Sequence, residues 1–374
     1  MARWPLLSVL SCLLFGVSWT SALITPKVFI LTMFDSEANV WFDIPEFNVL
    51  AQNITIPGFS PLYPDAHCTS DGNVCLLTTG QGEINAASTI SALLYSRNFN
   101  LTSTYFLVAG IAGVNPKLAT IGSVTFARYA VQVGLQYEVD AREIPANFQT
   151  GYFPQGSTGP GQLPGSWDGT EVFEVNENLR QLAFALAKTA TLNDTDDAKA
   201  ARAMYGTVAT FAKGASAPGI VLCDTATSDT FWSGNLLGNA FENTTKVFTN
   251  GAGAYCTTQQ EDNATLQALM RGALFHFVDF GRIIVMRSAS DFDRPPPGQD
   301  VVANLIGATP GFNPSLLNLH LAGVKVVQGI VSQWNNRFAQ GVRPDNYVGD
   351  VFGSLGGEPD FGPGSIFGGK PARA

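Results

Sequence analysis

The feature that most constrains the fold is the alternation of apolar runs with helix-like segments. Residues 27–34, KVFILTMF, and 104–113, TYFLVAGIAG, are almost continuously apolar, whereas residues 177–192 have the spacing of an amphipathic helix. Continuous apolar strands are typical of sheets that are covered on both faces. Strands and helices that alternate in this order predict an α/β protein with a largely parallel sheet.

The same alternation continues to the end of the chain. It predicts further strands at 73–80, 122–133, 218–226 and from 283, and further helices at 84–98 and 262–277. No break in composition divides residues 23–350, so we expect one domain. A stretch near 151–170 is rich in Gly and Pro, which is typical of a surface insertion, and the residues after Val351 are expected to form a loose tail.

The N-terminus has the pattern of a secretory signal peptide. One Arg precedes a short apolar stretch and small residues, and we expect cleavage after Ala22. An uncleaved anchor is the alternative, although the apolar part is short for a span of about 20 residues. Later in the chain, the best apolar candidate, residues 273–286, carries His, Asp and Arg and predicts no span. The protein is therefore expected to be extracellular or on the cell surface.

The cysteines and the glycosylation sequons are also typical of a protein that passes through the secretory pathway. Cys68 and Cys75 flank an Asp-Gly turn and are expected to form a disulfide, while Cys223 and Cys256 either pair or remain thiols. The asparagines of five Asn-x-Ser/Thr sequons, which suggest a glycoprotein, are Asn53, Asn100, Asn193, Asn243 and Asn263.

Composition excludes several classes of function. The net charge of −9 argues against nucleic acid as a partner, because neutralising phosphates requires Lys and Arg. The three His residues are far apart and no Cys pair has ligand spacing, so no metal site is expected. The chain also lacks a Gly-x-Ser-x-Gly elbow and a three-glycine dinucleotide motif, and we expect no cofactor.

Four polar or aromatic features follow predicted strands, at the sheet edge where α/β proteins hold ligands. Each also has a structural explanation: a solvated turn, a tight strand–helix turn, core packing or surface charge. The four are LTMFDSEANVW, the glycine turns TTGQG and AGIAG, the aromatic pair in DTATSDTFWSG, and VMRSASDF.

In order, these segments resemble those of the nucleoside phosphorylase and methylthioadenosine nucleosidase superfamily. VMRSASDF is similar to its Arg-x-x-Ser-Asp motif, which together with the glycine turns is the most specific part of the resemblance. The resemblance implies an α/β fold with a mixed central sheet flanked by helices. The residues that it places in a nucleoside site are Glu37, Gly80, Gly110, Ile111, Phe231, Gln260, Glu261, Arg287, Ser290 and Asp291.

One branch of this superfamily is more similar still. The signal peptide, the insertions and the sequons resemble those of the fungal proteins called purine nucleoside permeases, over nearly the whole mature chain. This resemblance implies purine nucleosides, such as adenosine or guanosine, as ligands, and uptake as the process served.

Three departures from the superfamily pattern bear on the chemistry. FDSEANVW contains no Arg where phosphorylases have a phosphate loop, Ile111 occupies a Ser or Thr position, and Gln260 occupies a Met position. Water is therefore favoured over phosphate as the nucleophile. The sequon at Asn263 lies beside the sugar-binding segment, so we predict that Asn263 carries no glycan.

These residues predict a purine nucleosidase. Asp291 would protonate the leaving base, Glu37 would orient or deprotonate water, and Arg287 would pair with Glu37. Phe231, alone or with Trp232, would sandwich the base. The alternative is a nucleoside-binding protein that serves transport without catalysis, alone, as a homo-oligomer or with a membrane partner. A degenerate member with a structural role is a third reading.

Overall fold

The computed structural model describes residues 23–372, so the predicted signal peptide lies outside the described residues. Within this range, the strands are Val28–Thr32 (β1), Gln52–Thr55 (β2), Asp65–Cys68 (β3), Val74–Thr78 (β4), Tyr105–Val114 (β5), Val124–Ala127 (β6), Tyr129–Gln132 (β7), Gln136–Glu138 (β8), Tyr152–Pro154 (β9), Val172–Glu174 (β10), Ile220–Leu222 (β11), Asp224–Thr227 (β12), Tyr255–Gln259 (β13), Ile283–Phe292 (β14) and Gly349–Asp350 (β15). The helices are Asp35–Asn39 (α1), Glu83–Tyr95 (α2), Glu177–Ala187 (α3), Asp196–Ala203 (α4), Asn235–Phe248 (α5), Asp262–Leu274 (α6), Val301–Ile306 (α7) and Phe312–Ser332 (α8).

Strand β1 shows why the sheet is covered on both faces. Phe29 and Leu31 pack into an apolar cluster with α2 and α6, whereas Val28 and Ile30 pack into another with α3 and α8. Successive side chains of a strand point to opposite faces, so an unbroken apolar strand needs helices on both. The predicted α/β class, with a mixed central sheet flanked by helices, is confirmed.

The main sheet is mixed and branches at β5. Its order is β15-β10-β7-β12-β13-β5-β1-β4-β3-β2, and β14 lies beside both β5 and β6. β1 and β14 run parallel to β5, whereas β13 meets only the last residues of β5, in the antiparallel direction. The carboxyl ends of β1, β5 and β14 therefore open at one edge of the sheet.

Two strands that were predicted to be continuous are broken. The run 122–133 divides into β6 and β7, and the run 218–226 divides into β11 and β12. The buried Asp224 stands at both breaks, because its Oδ1 accepts hydrogen bonds from the backbone N–H groups of Arg128 and Tyr129, each at 2.9 Å. At these breaks, the side chain of Asp224 replaces part of the backbone hydrogen bonding between strands. The hydropathy of the sequence does not reveal this replacement.

The C-terminal tail is not loose, contrary to the prediction. β15 pairs with β10, Val351 is buried, and Phe361 packs edge-on against Tyr129 with ring centroids 5.8 Å apart. These aromatic and aliphatic side chains bury against the sheet despite the many glycines around them. The Gly/Pro-rich stretch contributes β9, which pairs with β8 in a separate two-stranded sheet.

Two disulfides and one long apolar helix, α8, complete the fold. Cys68 is bonded to Cys75, as expected, and Cys223 is bonded to Cys256. By length and composition, the helix α8 would suffice to cross a membrane, which the sequence-based prediction missed. More than half of its most apolar window is buried in the protein, as in a core helix.

Candidate functional site: a cavity at the carboxyl edge of the sheet

A cavity of about 360 Å³ opens at the ends of β1, β5 and β14. This is where open α/β sheets bind ligands. Most of the predicted site residues line it: Glu37, Ile111, Phe231, Trp232, Gln260, Glu261, Arg287, Ser290 and Asp291. Gly80 and Gly110 do not, although each is adjacent in sequence to a lining residue: Gly80 lies in the loop after β4, next to Gln81, and Gly110 lies within β5, next to Ile111.

Glu37 projects from the short helix α1 and is buried. Its carboxylate accepts hydrogen bonds from two backbone N–H groups, those of Met33 at 2.7 Å and of Ile111 at 2.6 Å. Burial raises the pKa of Glu37 to about 8, although Arg287 and these backbone donors oppose the rise. At neutral pH, Glu37 is therefore mostly protonated.

Arg287 does not pair with Glu37, contrary to the prediction. Its guanidinium binds Asp262 Oδ1 through Nη2 at 2.6 Å and through Nε at 3.2 Å, and Nη2 also donates to Glu261 Oε2 at 3.1 Å. Nη1 donates to the carbonyl oxygen of Ile111 at 3.1 Å. The two acidic residues at the start of α6 outcompete Glu37 because both reach the same edge of the guanidinium.

Gly110 provides the space in which these groups meet. A Cβ atom at this position would collide with Arg287 Nη1 and would lie 2.9 Å from Glu37 Oε1. Gly80 has a different use, because its φ of +85° lets the chain turn sharply after β4.

Glu261 lies directly before α6 and is buried. Its Oε1 accepts a hydrogen bond from the N–H of Gly82 at 3.1 Å, and burial raises its pKa against the opposing effect of Arg287. The side chain of Gln259 accepts hydrogen bonds from the backbone N–H groups of Glu261 and Asp262, at 2.8 and 2.7 Å. The neighbouring Gln260 lines the cavity and donates to a backbone carbonyl of the 228–232 loop.

Asp291 is aimed into the cavity by an irregularity in β14. The register between β14 and β5 shifts between Ala289 and Asp291, and Ser290 is the extra residue. Ser290 Oγ lies 2.6 Å from Asp291 Oδ1, while Asp291 Oδ2 receives no hydrogen bond from the described residues. Burial raises the pKa of Asp291, the Ser290 hydroxyl opposes the rise, and Asp293 adds to it.

The two predicted aromatic residues have different surroundings. Phe231 is 53% exposed and stands at the cavity mouth. Trp232 is buried and packs against Phe241, with ring centroids 4.5 Å apart. Trp232 thus forms part of the cavity wall and of the core, and only Phe231 presents a ring that is free to cover a planar ligand.

Sequence-based reasoning missed three contributions to the cavity. No role was predicted for Asp262, which binds the guanidinium of Arg287, although its position directly after Glu261 was a signal. Thr258, on β13, lines the wall next to Asp291, and α7 contributes Asn304 and Leu305 from the loop beyond β14. Within residues 23–372, no cluster of His, Cys, Asp and Glu is arranged to hold a metal ion.

Comparison with known proteins identifies the family. The sequence model described as purine nucleoside permease matches residues 25–343. The chain belongs to the purine nucleoside permease family. The purine nucleoside permease of Candida albicans is 46% identical over 348 residues, which are 91% of this chain and 84% of that protein. A probable purine nucleoside permease of Schizosaccharomyces pombe is 41% identical over 330 residues, 86% of this chain and 93% of that protein.

Solved structures are more distantly similar. A 5'-methylthioadenosine/S-adenosylhomocysteine nucleosidase of Neisseria meningitidis has a TM-score of 0.48 and 14% identity, covering 83% of this chain and 100% of that one. A futalosine hydrolase of Helicobacter pylori has a TM-score of 0.47 and 15% identity, covering 82% and 98%.

Proposed function

We propose that this protein binds purine nucleosides in the cavity and hydrolyses their N-glycosidic bond. The observation that carries the proposal is that two carboxyl groups line one cavity: Asp291, with one oxygen unbonded among the described residues, and Glu37, held by two backbone donors. Asp291 is assigned as the acid because burial raises its pKa above that of an exposed carboxyl group, which favours the protonated form. Membership of the purine nucleoside permease family supports the ligand class.

The proposed reaction uses both carboxyl groups. Asp291 gives its proton to the purine ring, the C1'–N9 bond breaks, and its electron pair leaves with the base. A water molecule attacks C1' as ionised Glu37 takes its proton, so the products are ribose and the free base. Solvent then returns the proton from Glu37 to Asp291. Acid–base assistance of this kind is worth roughly 10²–10⁴-fold in rate.

The sugar and the base would be held by different walls. Glu261 would accept hydrogen bonds from ribose hydroxyls, because its carboxylate lines the cavity and is fixed by Arg287 and the N–H of Gly82. Phe231 would cover one face of the base, since its ring stands at the mouth. Stacking of this kind tolerates either purine.

A second candidate is binding without turnover, in the service of nucleoside uptake. It is favoured by the protonation of Glu37 at neutral pH, because a protonated carboxyl group does not activate water. The names of the relatives also favour it. Under either candidate we propose that the mature protein is extracellular or on the cell surface, alone, as a homo-oligomer or with a membrane partner.

Incubation of the purified protein with adenosine or guanosine, with and without phosphate, tests the proposal. We expect free base in the absence of phosphate, and Asp291→Asn should lower its release by about 10²-fold or more while leaving binding measurable by calorimetry. Asp194→Asn is the matched control, because it changes a half-buried carboxylate outside the cavity that pairs with Arg202. Release that requires phosphate, or no release with intact binding, would contradict hydrolysis, and the second outcome supports the uptake candidate.

A further inference from the structure

The ion pairs of Arg287 run to the start of α6 and not to α1. One oxygen of Asp262 takes two donors of the guanidinium, Nε and Nη2, and Glu261 takes Nη2 as well. Arg287 is buried, and Asp262 is fully buried with its other oxygen unpartnered among the described residues. When one oxygen of a buried carboxylate accepts hydrogen bonds from two guanidinium donors, it holds that guanidinium in a single orientation.

Glu37 lies close to the same guanidinium but is not bonded to it. Both groups border the space at Gly110, where an added Cβ would approach Arg287 Nη1 and Glu37 Oε1. The charged groups that face Glu37 are Arg287 on β14 and Glu261 before α6. β4, β5 and α8 also pack against α1, but within the described residues they bring no charged side chain into hydrogen-bonding contact with Glu37.

We propose that Asp262 is a positioning residue, which holds Arg287 against α6, keeps it from pairing with Glu37, and so sets the pH range in which the cavity works. A first-turn acidic residue can also simply favour a helix N-terminus. That role alone would not require the carboxylate to bind the Nε–Nη2 edge of Arg287. The part of this inference that is tested through base release rests on the proposed hydrolysis.

Substitution Asp262→Asn tests this role because it removes the charge and keeps the shape. An uncharged side chain holds the guanidinium less strongly, so Arg287 would move toward Glu37 and favour its ionised form. An opposite charge within about 4–6 Å lowers the pKa of a carboxyl group by about 1–3 units. The pH midpoint of base release that depends on Glu37 should therefore fall by about one unit or more in the variant.

A second readout does not depend on catalysis. The infrared band of protonated carboxyl groups, followed against pH and assigned to Glu37 by its loss in Glu37→Gln, reports directly on this residue. In the wild type, the Glu37 band should disappear around pH 8, and in Asp262→Asn it should disappear at lower pH. If the wild type releases no base but the Glu37 band still disappears at lower pH in Asp262→Asn, the proposed hydrolysis is wrong and the positioning role of Asp262 is supported.

Glu174→Gln is the matched control for Asp262→Asn. Glu174 is also a buried carboxylate that accepts both Nε and Nη2 of an arginine, Arg128, with one oxygen while its other oxygen is unpartnered. It lies outside the cavity, so Glu174→Gln should leave unchanged both the pH midpoint of base release and the pH midpoint of the Glu37 infrared band. Asp262→Glu keeps the charge and should keep the wild-type midpoint, even if Asp262→Asn fails to fold.

Two results would overturn the inference. One is a Glu37 band whose midpoint is the same in Asp262→Asn and in the wild type. The other, which needs no variant at Asp262, is a wild-type Glu37 that is already ionised below about pH 6, since this would mean that Arg287 stabilises the ionised form of Glu37 even while Asp262 holds it. A loss of activity in Asp262→Asn without any shift of midpoint would likewise indicate a purely structural role.

Discussion

At the scale of residues, the cavity holds an excess of acidic groups over basic ones. Three carboxyl groups, those of Glu37, Glu261 and Asp291, line it together with the guanidinium of Arg287, and Asp262 binds that guanidinium from behind the wall. Burial raises the pKa of Glu37, Glu261 and Asp291 because water no longer solvates their charges. Glu37, whose pKa is about 8, therefore retains its proton at neutral pH.

Stability should depend on this retained proton. The pKa of Glu37 is about 8 in the folded protein and 4.5 as a model value for an exposed group, so its stabilising effect is complete below pH 4.5 and is lost as the pH rises through 8. Between these values, this residue should make the free energy of unfolding fall by up to about 1.4 kcal/mol per pH unit. Urea unfolding at several pH values should show a shallower decline for Glu37→Gln than for the wild type, and parallel curves would contradict it.

Gly110 offers a test of the geometry that does not involve charge. In Gly110→Ala, the new Cβ would press on Arg287 Nη1 and on Met33 Sδ, which would be 2.8 Å away. Overpacking of this kind costs about 1–3 kcal/mol, and we expect nucleoside binding measured by calorimetry to be lost as well. Gly219→Ala is the control, because nothing lies within 4 Å of its added Cβ. Equal effects of the two substitutions would count against this account of Gly110.

At this scale, the identity of the lining residues was more predictable than their pairing. The resemblance of VMRSASDF to a superfamily motif predicted that Arg287, Ser290 and Asp291 belong to the site, and all three line the cavity. The partner of Arg287 was not predictable, because Asp262 and Glu37 are both acidic residues at strand ends and hydropathy does not rank them. The partner of Arg287 is the carboxylate that reaches the Nε–Nη2 edge of its guanidinium, and this depends on the tertiary structure.

At the scale of elements, β14 shows how backbone irregularity aims a side chain. The apolar run at 283–286 predicted its beginning, and the strand continues to Phe292 with a shift of register at Ser290. Without the shift, the side chains beyond it would point to the other face of the sheet, since they alternate strictly in a regular strand. The sequence predicted where this strand begins but not the bulge, because a bulge leaves no clear mark in composition.

The short helix α7 belongs to the cavity more than to the core. None of its residues is buried, yet Asn304 and Leu305 line the cavity, and Asp300 caps the helix by accepting from two backbone N–H groups. Asp300→Ala should cost about 1 kcal/mol locally. We expect faster hydrogen exchange in residues 300–307 and weaker nucleoside binding, with little change in Tm. Asp300→Asn also caps well and should behave like the wild type, whereas weakening by both would point to the charge instead.

At the scale of the whole molecule, the branch at β5 creates the opening for the site. β1 pairs with β5 only as far as Val108, while β14 follows β5 to its end, so the sheet separates where Gly110 and Ile111 pass. The short helix α1 and the start of α6 enter this gap and supply Glu37 and Glu261. Residues that are more than 200 positions apart in the chain thus share one cavity.

The C-terminal tail stabilises the opposite end of the same sheet. Phe361 is 3% exposed and packs against Tyr129 and Tyr347. Phe361→Ala should lower the free energy of unfolding by about 3–5 kcal/mol, which denaturant titration would measure. Phe367→Ala, in the same tail but 38% exposed, should cost much less. Similar small losses for both variants would indicate that the tail is loose after all.

The sequence by itself determined the α/β class, the edge of the sheet that bears the site and, through its resemblance to a known superfamily, the charged residues that line the cavity. It could do so because apolar periodicity and short motifs are local properties of a chain. Only the tertiary structure decided that Arg287 pairs with Asp262, that Trp232 joins the core, and that the tail packs onto the sheet. These outcomes depend on distances between segments far apart in the chain, and competing partners of similar chemistry are ranked by geometry and burial alone.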